Sequence, residues 1–174
     1  MSDGRPLIVA WANWFANNKL THPFVYSEGS NRMEAINQWP LQYPVTSDCS
    51  SFVTLVYNLS GCADPNGMNY DHEGYTGTLI THGTEIPLAK VQPGDVIVYG
   101  PGTGWHTAIV VVADPNPLTV SMGQNGDPSF VHVSQDGRTP QRYFRYVTKS
   151  VNLARNPSSI PTHPSHGLPT PPKK

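Results

Sequence analysis

The stretch 47-SDCSSFVTLVYNLSGC-62 places both cysteines of the chain at the two ends of one predicted helix. Ser47 or Asp48 can cap the start of this helix, and Gly61 can end it. The cysteines are thirteen residues apart, so a helix of about 1.5 Å rise per residue separates them by roughly 20 Å. Because a disulfide needs Cα atoms within about 7 Å, this helix excludes an intramolecular disulfide. Its apolar residues fall at helical spacing: Phe52, Val53, Val56, Tyr57 and Leu59.

The two cysteines then have other roles open to them. A zinc site is disfavoured, because His72 and His82 follow without a Cys-x2-Cys or His-x3–5-His pair. A thiol at a helix amino terminus faces unpaired N–H groups, which favour the thiolate and can hold an oxyanion. Cys49 is therefore either a nucleophile or a small buried hydrophobic residue. Cys62, in a GCADPNG loop, is interpreted as a bystander.

A nucleophilic cysteine needs a base, usually a histidine oriented by a third polar group. His106 is the candidate: it follows a glycine-rich loop and opens the predicted strand TAIVVV. From its place at a strand start, we expect it to be exposed at a sheet edge, although a lone histidine is more often structural. Other short strands are predicted at 96–99, 118–123, 130–134 and 143–147, forming an antiparallel meander.

Helices are predicted mainly in the first half of the chain. Pro6–Asn18 is an expected amphipathic helix with Leu7, Ile8, Trp11, Trp14 and Phe15 on its buried side. A short helix is expected at Arg32–Gln38, and one helical turn near Thr78–His82 within an otherwise loop-like segment 63–90. The pattern predicts an α+β fold in which the nucleophile helix packs on roughly five antiparallel strands. Residues 1–150 form the predicted domain, and the Pro-rich residues 151–174 an extended or disordered tail that acts as a tether.

Composition excludes several functional classes. The chain has 174 residues and a formal net charge of −1, and its basic residues do not cluster before Lys173-Lys174. We therefore expect no nucleic-acid partner. The start MSDGRPLIVAWANWFANN lacks the pattern of a secretory signal, and no apolar run approaches the ~20 residues that span a bilayer. The expectation is a protein made without its own export signal and without a membrane span.

Four motifs, taken in order, resemble the NlpC family of papain-like cysteine peptidases, which cut bacterial cell-wall peptides. The segments are 23-PFVY-26, 48-DCSSF-52, 91-VQPGDVIVY-99 and 106-HTAIV-110, and they are similar to the family patterns P-Y-x-[WY], D-C-S-x-[FL], L-x-P-G-D-L-V-x-F and H-V-G-I-Y. Together they cover roughly residues 5–148. The runs 26-YSEGSNRM-33, 64-DPNG-67 and 74-GYTGT-78 are also similar to small cell-wall hydrolases of actinobacterial phages.

The resemblance implies a papain-like fold and roles for individual residues. Cys49 would attack an amide carbonyl, and His106 would take the thiol proton and pass it to the leaving amine, often from a thiolate–imidazolium pair. Tyr26 would lend its hydroxyl to the oxyanion site; without the family it is equally a packed loop aromatic. Asp48 and Ser50 lie where relatives grip the free amine of the substrate, and Asp48 also suits a helix cap.

The third catalytic position is where this chain departs from the family, which commonly has histidine on the following strand. Phage relatives have Ser-His-Gly where this chain has Ser121-Met122-Gly123. Methionine cannot orient an imidazole by a useful hydrogen bond, and strand alternation lets only one of Ser121 and Met122 face His106. We predict Ser121, with Gln124 in reserve. Trp105 is a candidate wall of the substrate groove or a packed aromatic.

The predicted function is hydrolysis of an amide in the peptidoglycan stem peptide through a thioester on Cys49, with no cofactor or metal. By resemblance the bond is D-γ-glutamyl to diaminopimelate, with D-alanyl to diaminopimelate crosslinks as a second target. Two roles are open: a phage endolysin held in the host cytoplasm before release, or a virion-associated lysin that contacts phage tail proteins. Met122 motivates a different reading, a catalytically weak or inactive structural tail protein. An amidase or acyltransferase on the same scaffold is a third option.

Overall fold

The structure is a computed structural model that describes residues 3–123, 125–149 and 154–159. Its helices are α1 (Arg5–Asn18), α2 (Cys49–Leu59), α3 (Thr76–His82) and α4 (Val133–Asp136), with 3-10 helices at Ser30–Met33, Leu88–Lys90 and Pro157–Ser159. Its strands are β1 (Phe24–Tyr26), β2 (Val45–Ser47), β3 (Thr84–Ile86), β4 (Val96–Tyr99), β5 (His106–Val112), β6 (Leu118–Met122), β7 (Pro128–His132) and β8 (Gln141–Arg145). Among the described helices, none is both long and apolar enough to cross a membrane.

The main sheet has six antiparallel strands in the order β3-β8-β4-β5-β6-β7. The α+β class and the helix-on-sheet arrangement are as predicted, but the sheet has one strand more than expected. The extra strand, β3, comes from the segment interpreted as a loop. The meander holds from β4 to β7, whereas β8 returns across the sheet to pair with β4. That pairing is long-range in sequence, so local turn signals do not reveal it.

Helix α2 forms where the sequence predicted it, and its caps explain why. The Asp48 carboxylate accepts a hydrogen bond from the Ser51 backbone N–H at 2.7 Å, and the Ser51 hydroxyl accepts one from the Asp48 backbone N–H at 2.7 Å. Gly61 adopts a left-handed φ of 70° just beyond the helix end, a conformation that favours glycine. The helix is buried on nearly all sides. Cys49 begins it, Cys62 lies just beyond its end, and both are free thiols.

The core lies between one face of the main sheet and the helices α1 and α2. Trp11 and Phe15 of α1 stack at 5.3 Å, and Phe15 meets Phe52 of α2 edge-on at 5.9 Å. Of the residues predicted on the buried side of α1, Leu7 and Trp14 are only partly buried. A second cluster covers the other face of the sheet, which is why β4 is apolar throughout rather than alternating.

Three segments differ from their sequence-based predictions. The expected helix at Arg32–Gln38 is a 3-10 helix at Ser30–Met33 followed by turns, and β7 ends at His132 because α4 takes the next four residues. Part of the predicted tail is bound to the domain: the Arg155 backbone N–H donates to the Leu59 carbonyl at 2.7 Å, and Trp11 Nε1 donates to the Arg155 carbonyl at 2.9 Å. Residues 150–153 and 160–174 lie outside the described residues.

Candidate active site

Cys49 is the first residue of α2, with 7% of its surface exposed. Three backbone N–H groups face its sulfur, those of Cys49, Ser50 and Thr107. Thr107 lies on β5, directly after His106. The packing of α2 on β5 therefore brings the thiol against the strand that carries the candidate base.

His106 is buried in the middle of the sheet. It begins β5, which pairs with β4 on one side and β6 on the other, and it is 7% exposed. Its ring stacks on that of Tyr99, its partner across the β4–β5 pair, at a centroid distance of 5.8 Å. The predicted exposure at a sheet edge is wrong, because β5 has strands on both sides and its first residue is already paired.

Ser121 contacts the imidazole from the neighbouring strand β6. Its Oγ lies 2.5 Å from His106 Nε2, and the residue is 7% exposed. Met122 points the other way and is fully buried in the main core, as strand alternation requires. Gln124, the reserve candidate, lies outside the described residues. The structure thus places Ser121 against His106, and it sets the Cys49 thiol against Thr107, the residue that follows His106.

Burial controls the protonation of the site. Burial, together with the negative charge of Asp48, raises the pKa of the Cys49 thiol to about 12. Burial also lowers the pKa of His106 to about 4, with the positive charge of Arg138 acting in the same direction. Both shifts favour a neutral thiol and a neutral imidazole at neutral pH. Desolvation of the buried sulfur thus opposes the N–H groups that face it, which favour the thiolate.

Tyr26 approaches the thiol from the small parallel sheet. The pairing of β1 with β2 sets Tyr26 opposite Ser47, one residue before the cap of α2. Burial raises the pKa of Tyr26, and the hydrogen bond to Glu28 adds to that rise. Its hydroxyl donates to Glu28 Oε1 at 2.8 Å. The sequence gives no pattern that singles out Glu28, since the contact spans a turn of irregular loop.

Asp48 and Ser50 flank the nucleophile as predicted, but a cation that sequence reasoning missed already contacts both. Arg32 Nη1 lies 3.4 Å from Asp48 Oδ2 and 3.4 Å from Ser50 Oγ. Arg32 Nη2 donates to the Gly74 carbonyl at 2.5 Å. The run YSEGSNRM contains Arg32, but nothing local in it indicates that the side chain reaches α2.

Trp105 stands beside the site as an open aromatic surface. It is 67% exposed, and its ring lies so close to Gly100 that a Cβ there would approach it at 2.7 Å. Gly100 has a φ of 93°, so this tight approach depends on glycine. The ring is available to a ligand rather than packed in the core, which matches the groove-wall alternative for this residue.

The histidines weighed as metal ligands have structural contacts instead. His72 Nδ1 hydrogen-bonds to the Met33 carbonyl at 3.1 Å, and the ring of His82 packs over Gly67. Within the ranges that the structure describes, three or more His, Cys, Asp or Glu side chains do not gather in a way that could hold a metal ion.

Comparison with known proteins identifies the family of this chain. The model of the NlpC/P60 family matches residues 22–156. Over 80 residues the chain is 28% identical to the "Probable endopeptidase p60" of Listeria grayi, a match that covers 46% of this chain and 14% of that protein. The chain thus spans about a seventh of the length of this curated relative.

Solved structures show the same fold. The peptidoglycan hydrolase RipB of Mycobacterium tuberculosis superposes with a TM-score of 0.52 at 23% identity, covering 82% of this chain and 66% of RipB. RipD of the same organism superposes with a TM-score of 0.52 at 16% identity, covering 83% of this chain and 98% of RipD. RipD is described as a non-catalytic NlpC/p60 domain protein adapted to peptidoglycan binding. The predicted NlpC fold is confirmed by these likenesses.

Proposed function

Because the chain belongs to the NlpC/P60 family, we propose that it is a cysteine peptidase that hydrolyses an amide in the peptide stem of bacterial peptidoglycan. One observation carries the proposal. A thiol at the start of a buried helix lies against the strand that begins with the His106 imidazole, and a hydroxyl lies 2.5 Å from that imidazole. Nucleophile, base and orienting group are the parts that acyl transfer requires.

The proposed reaction begins from the neutral pair. His106 Nε2 is bonded to Ser121, which leaves Nδ1 to take the thiol proton as the Cys49 sulfur attacks the amide carbonyl. The C–N bond then breaks, and the imidazolium returns its proton to the leaving amine. The acyl group remains on Cys49 as a thioester. Water, deprotonated by His106, hydrolyses this thioester to a carboxylate and restores the thiol.

Oxyanion stabilisation would come from groups already aimed at the sulfur. The backbone N–H groups of Cys49 and Ser50 at the start of α2 are suited to the negative oxygen of the tetrahedral intermediate. Tyr26 would add its hydroxyl after turning away from Glu28. These groups stabilise charge that exists only during the reaction, so they lower the barrier rather than tighten substrate binding.

The finer proposals rest on the sequence resemblance. The bond would be D-γ-glutamyl to diaminopimelate, and the chain would act on the bacterial wall as a phage endolysin or as a virion-associated lysin bound to tail proteins. In the first role it would wait in the host cytoplasm, and in the second it would travel with the particle. The resemblance of the runs 26–33, 64–67 and 74–78 to small phage hydrolases supports both roles equally.

Amino-group release from purified diaminopimelate-type peptidoglycan tests the activity. The comparison uses the wild type, Cys49→Ala and the matched control Cys62→Ala, which removes the thiol at the opposite end of α2. We expect release by the wild type and Cys62→Ala and none by Cys49→Ala. Equal release by all three would refute the proposed nucleophile. Silence of the wild type on every wall type would favour a non-catalytic wall-binding protein instead.

Mass spectrometry of the released fragments identifies the bond. A new D-glutamate carboxyl with a free diaminopimelate amine fits the endopeptidase. A free L-alanine amine and an intact stem would indicate an amidase, and an acyl group moved to an added amine would indicate an acyltransferase.

A further inference from the structure

The guanidinium of Arg32 already fills the polar corner beside the nucleophile. This corner is formed by the carboxylate of Asp48 and the hydroxyl of Ser50, each 3.4 Å from Arg32 Nη1. Arg32 reaches it from the end of a 3-10 helix that packs against α2 and β2. The hydrogen bond to the Gly74 carbonyl, 2.5 Å long, fixes the far side of the guanidinium.

Both oxygens of the Asp48 carboxylate already have partners within the protein. Its Oδ1 accepts from the Ser51 backbone N–H at 2.7 Å and from the Ser50 hydroxyl at 3.0 Å. Its Oδ2 faces Arg32. Because Oδ1 also caps α2, the carboxylate cannot turn toward a new partner without loosening the helix that carries Cys49.

This ion pair is largely buried, so solvent screens the charges of Arg32 and Asp48 only weakly. The side chains of Arg32 and Asp48 are 17% and 12% exposed. A substrate ammonium in this corner would meet a guanidinium at close range and would have to displace it from a partly buried carboxylate. The neighbouring carboxylate of Glu28 is exposed and accepts the Tyr26 hydroxyl, so it offers a cation only a solvent-screened contact.

We infer that Arg32 is a specificity-determining residue that excludes a free amino terminus and selects stem peptides whose terminal amine is acylated. The inference rests on the proposed peptidase function and names its substrate class. An acylated amine carries no charge, and its carbonyl oxygen can accept one of the guanidinium N–H groups not used by Asp48, Ser50 or Gly74. Uncut wall supplies such peptides, whereas peptides already released from the glycan carry an ammonium.

Two synthetic peptides test the inference. Both are L-alanyl-D-γ-glutamyl-diaminopimelate, one with a free amino terminus and one N-acetylated, and kcat/KM is measured for each at pH 7. We expect the wild type to prefer the acetylated peptide by about tenfold or more, the scale of one charge-assisted hydrogen bond. Arg32→Gln should reduce that preference by about tenfold, mainly through a lower KM for the free-amine peptide.

The pH dependence separates charge from shape. A peptide amino terminus has a pKa of roughly 8, so raising the pH from 7 to 9 converts the ammonium to an amine. We expect the preference for the acetylated peptide to shrink over this range. Groups of the enzyme that titrate between pH 7 and 9 affect both peptides alike, so their effect cancels in the ratio of the two kcat/KM values. A preference that stays constant across this range would overturn the electrostatic explanation.

Two variants guard against trivial effects. Arg32→Lys keeps a cation in the corner and should keep most of the preference, whereas a general loss of folding would affect both peptides alike. Arg155→Gln removes a positive charge at the opposite end of α2, where the Arg155 backbone N–H binds the Leu59 carbonyl. It should leave the preference within about twofold of the wild type.

Binding separates this inference from the proposed function. The Cys49→Ala protein and its Arg32→Gln double variant are titrated calorimetrically with both peptides. If the wild type cleaves neither peptide but Cys49→Ala binds the acetylated one tenfold more tightly, the peptidase proposal fails and the assignment of Arg32 stands. Three results would overturn the inference. The free-amine peptide binds as tightly as the acetylated one or more tightly, neither peptide binds, or Arg32→Gln leaves the ratio of the two dissociation constants unchanged.

Discussion

Replacing Ser121 with alanine removes the hydroxyl that contacts His106 Nε2 at 2.5 Å in a buried site. The imidazole is neutral in the free protein and becomes an imidazolium only as it takes the thiol proton. A hydrogen bond to a charged group contributes about 1.5–3 kcal/mol, and RT is about 0.59 kcal/mol, so the loss corresponds to roughly a 10- to 150-fold fall in rate. The fall should appear in kcat with little change in KM, because the charge exists only in the transition state.

The assay is steady-state hydrolysis of a soluble stem peptide by proteins whose folding is verified by circular dichroism. Ser129 provides the matched control, since it lies directly opposite Ser121 on β7, one strand further from His106. Ser129→Ala should stay within about twofold of the wild type, and Ser121→Thr, which keeps a hydroxyl, should recover most of the rate. If Ser121→Ala matches the wild type in kcat, Ser121 does not orient the base.

Three further predictions follow from burial and charge. Because burial raises the Cys49 pKa to about 12, iodoacetamide at pH 7 should modify Cys49 more than about tenfold more slowly than it modifies glutathione, as read by intact mass; fast labelling would indicate a thiolate–imidazolium pair. The folded-state pKa of His106 is about 4 against 6.5 unperturbed, so stability should be lost as pH falls from about 6.5 to 4. The loss, up to about 3 kcal/mol, should be visible in urea unfolding and be much smaller in His106→Gln; equal losses would refute it. Asp95 is buried and accepts two hydrogen bonds from Arg145, of 2.9 and 2.7 Å. Asp95→Ala should therefore lower the free energy of unfolding by roughly 3 kcal/mol, while the folded protein keeps its kcat. An unchanged midpoint of urea unfolding would contradict this.

The features that sequence predicted best are those specified by neighbouring residues. Helix α2 follows from a capping residue, an apolar face and a closing glycine, all within one stretch of chain, and the structure has it at Cys49–Leu59. Strand alternation lets only one of Ser121 and Met122 face His106, and hydrogen-bonding chemistry favours the serine. Their side chains do point in opposite directions. Local geometry was sufficient in both cases.

The features that sequence missed depend on contacts between distant segments. The burial of His106 depends on side chains of two other strands, Tyr99 of β4 and Ser121 of β6. The burial of the Cys49 thiol raises its pKa and so opposes the thiolate expected from the helix terminus. The contact of Arg32 with Asp48 joins an irregular loop to a helix start, and no periodic pattern marks such a pair.

The most direct test of the central claim is the mass of protein quenched in acid during turnover of a stem peptide. The account predicts a fraction of the protein heavier by the acyl part of the substrate, with the increment mapped by proteolysis to the peptide that contains Cys49 and absent from Cys49→Ala. Turnover by Cys49→Ala at the wild-type rate, or an acyl group found on a different residue, would contradict it.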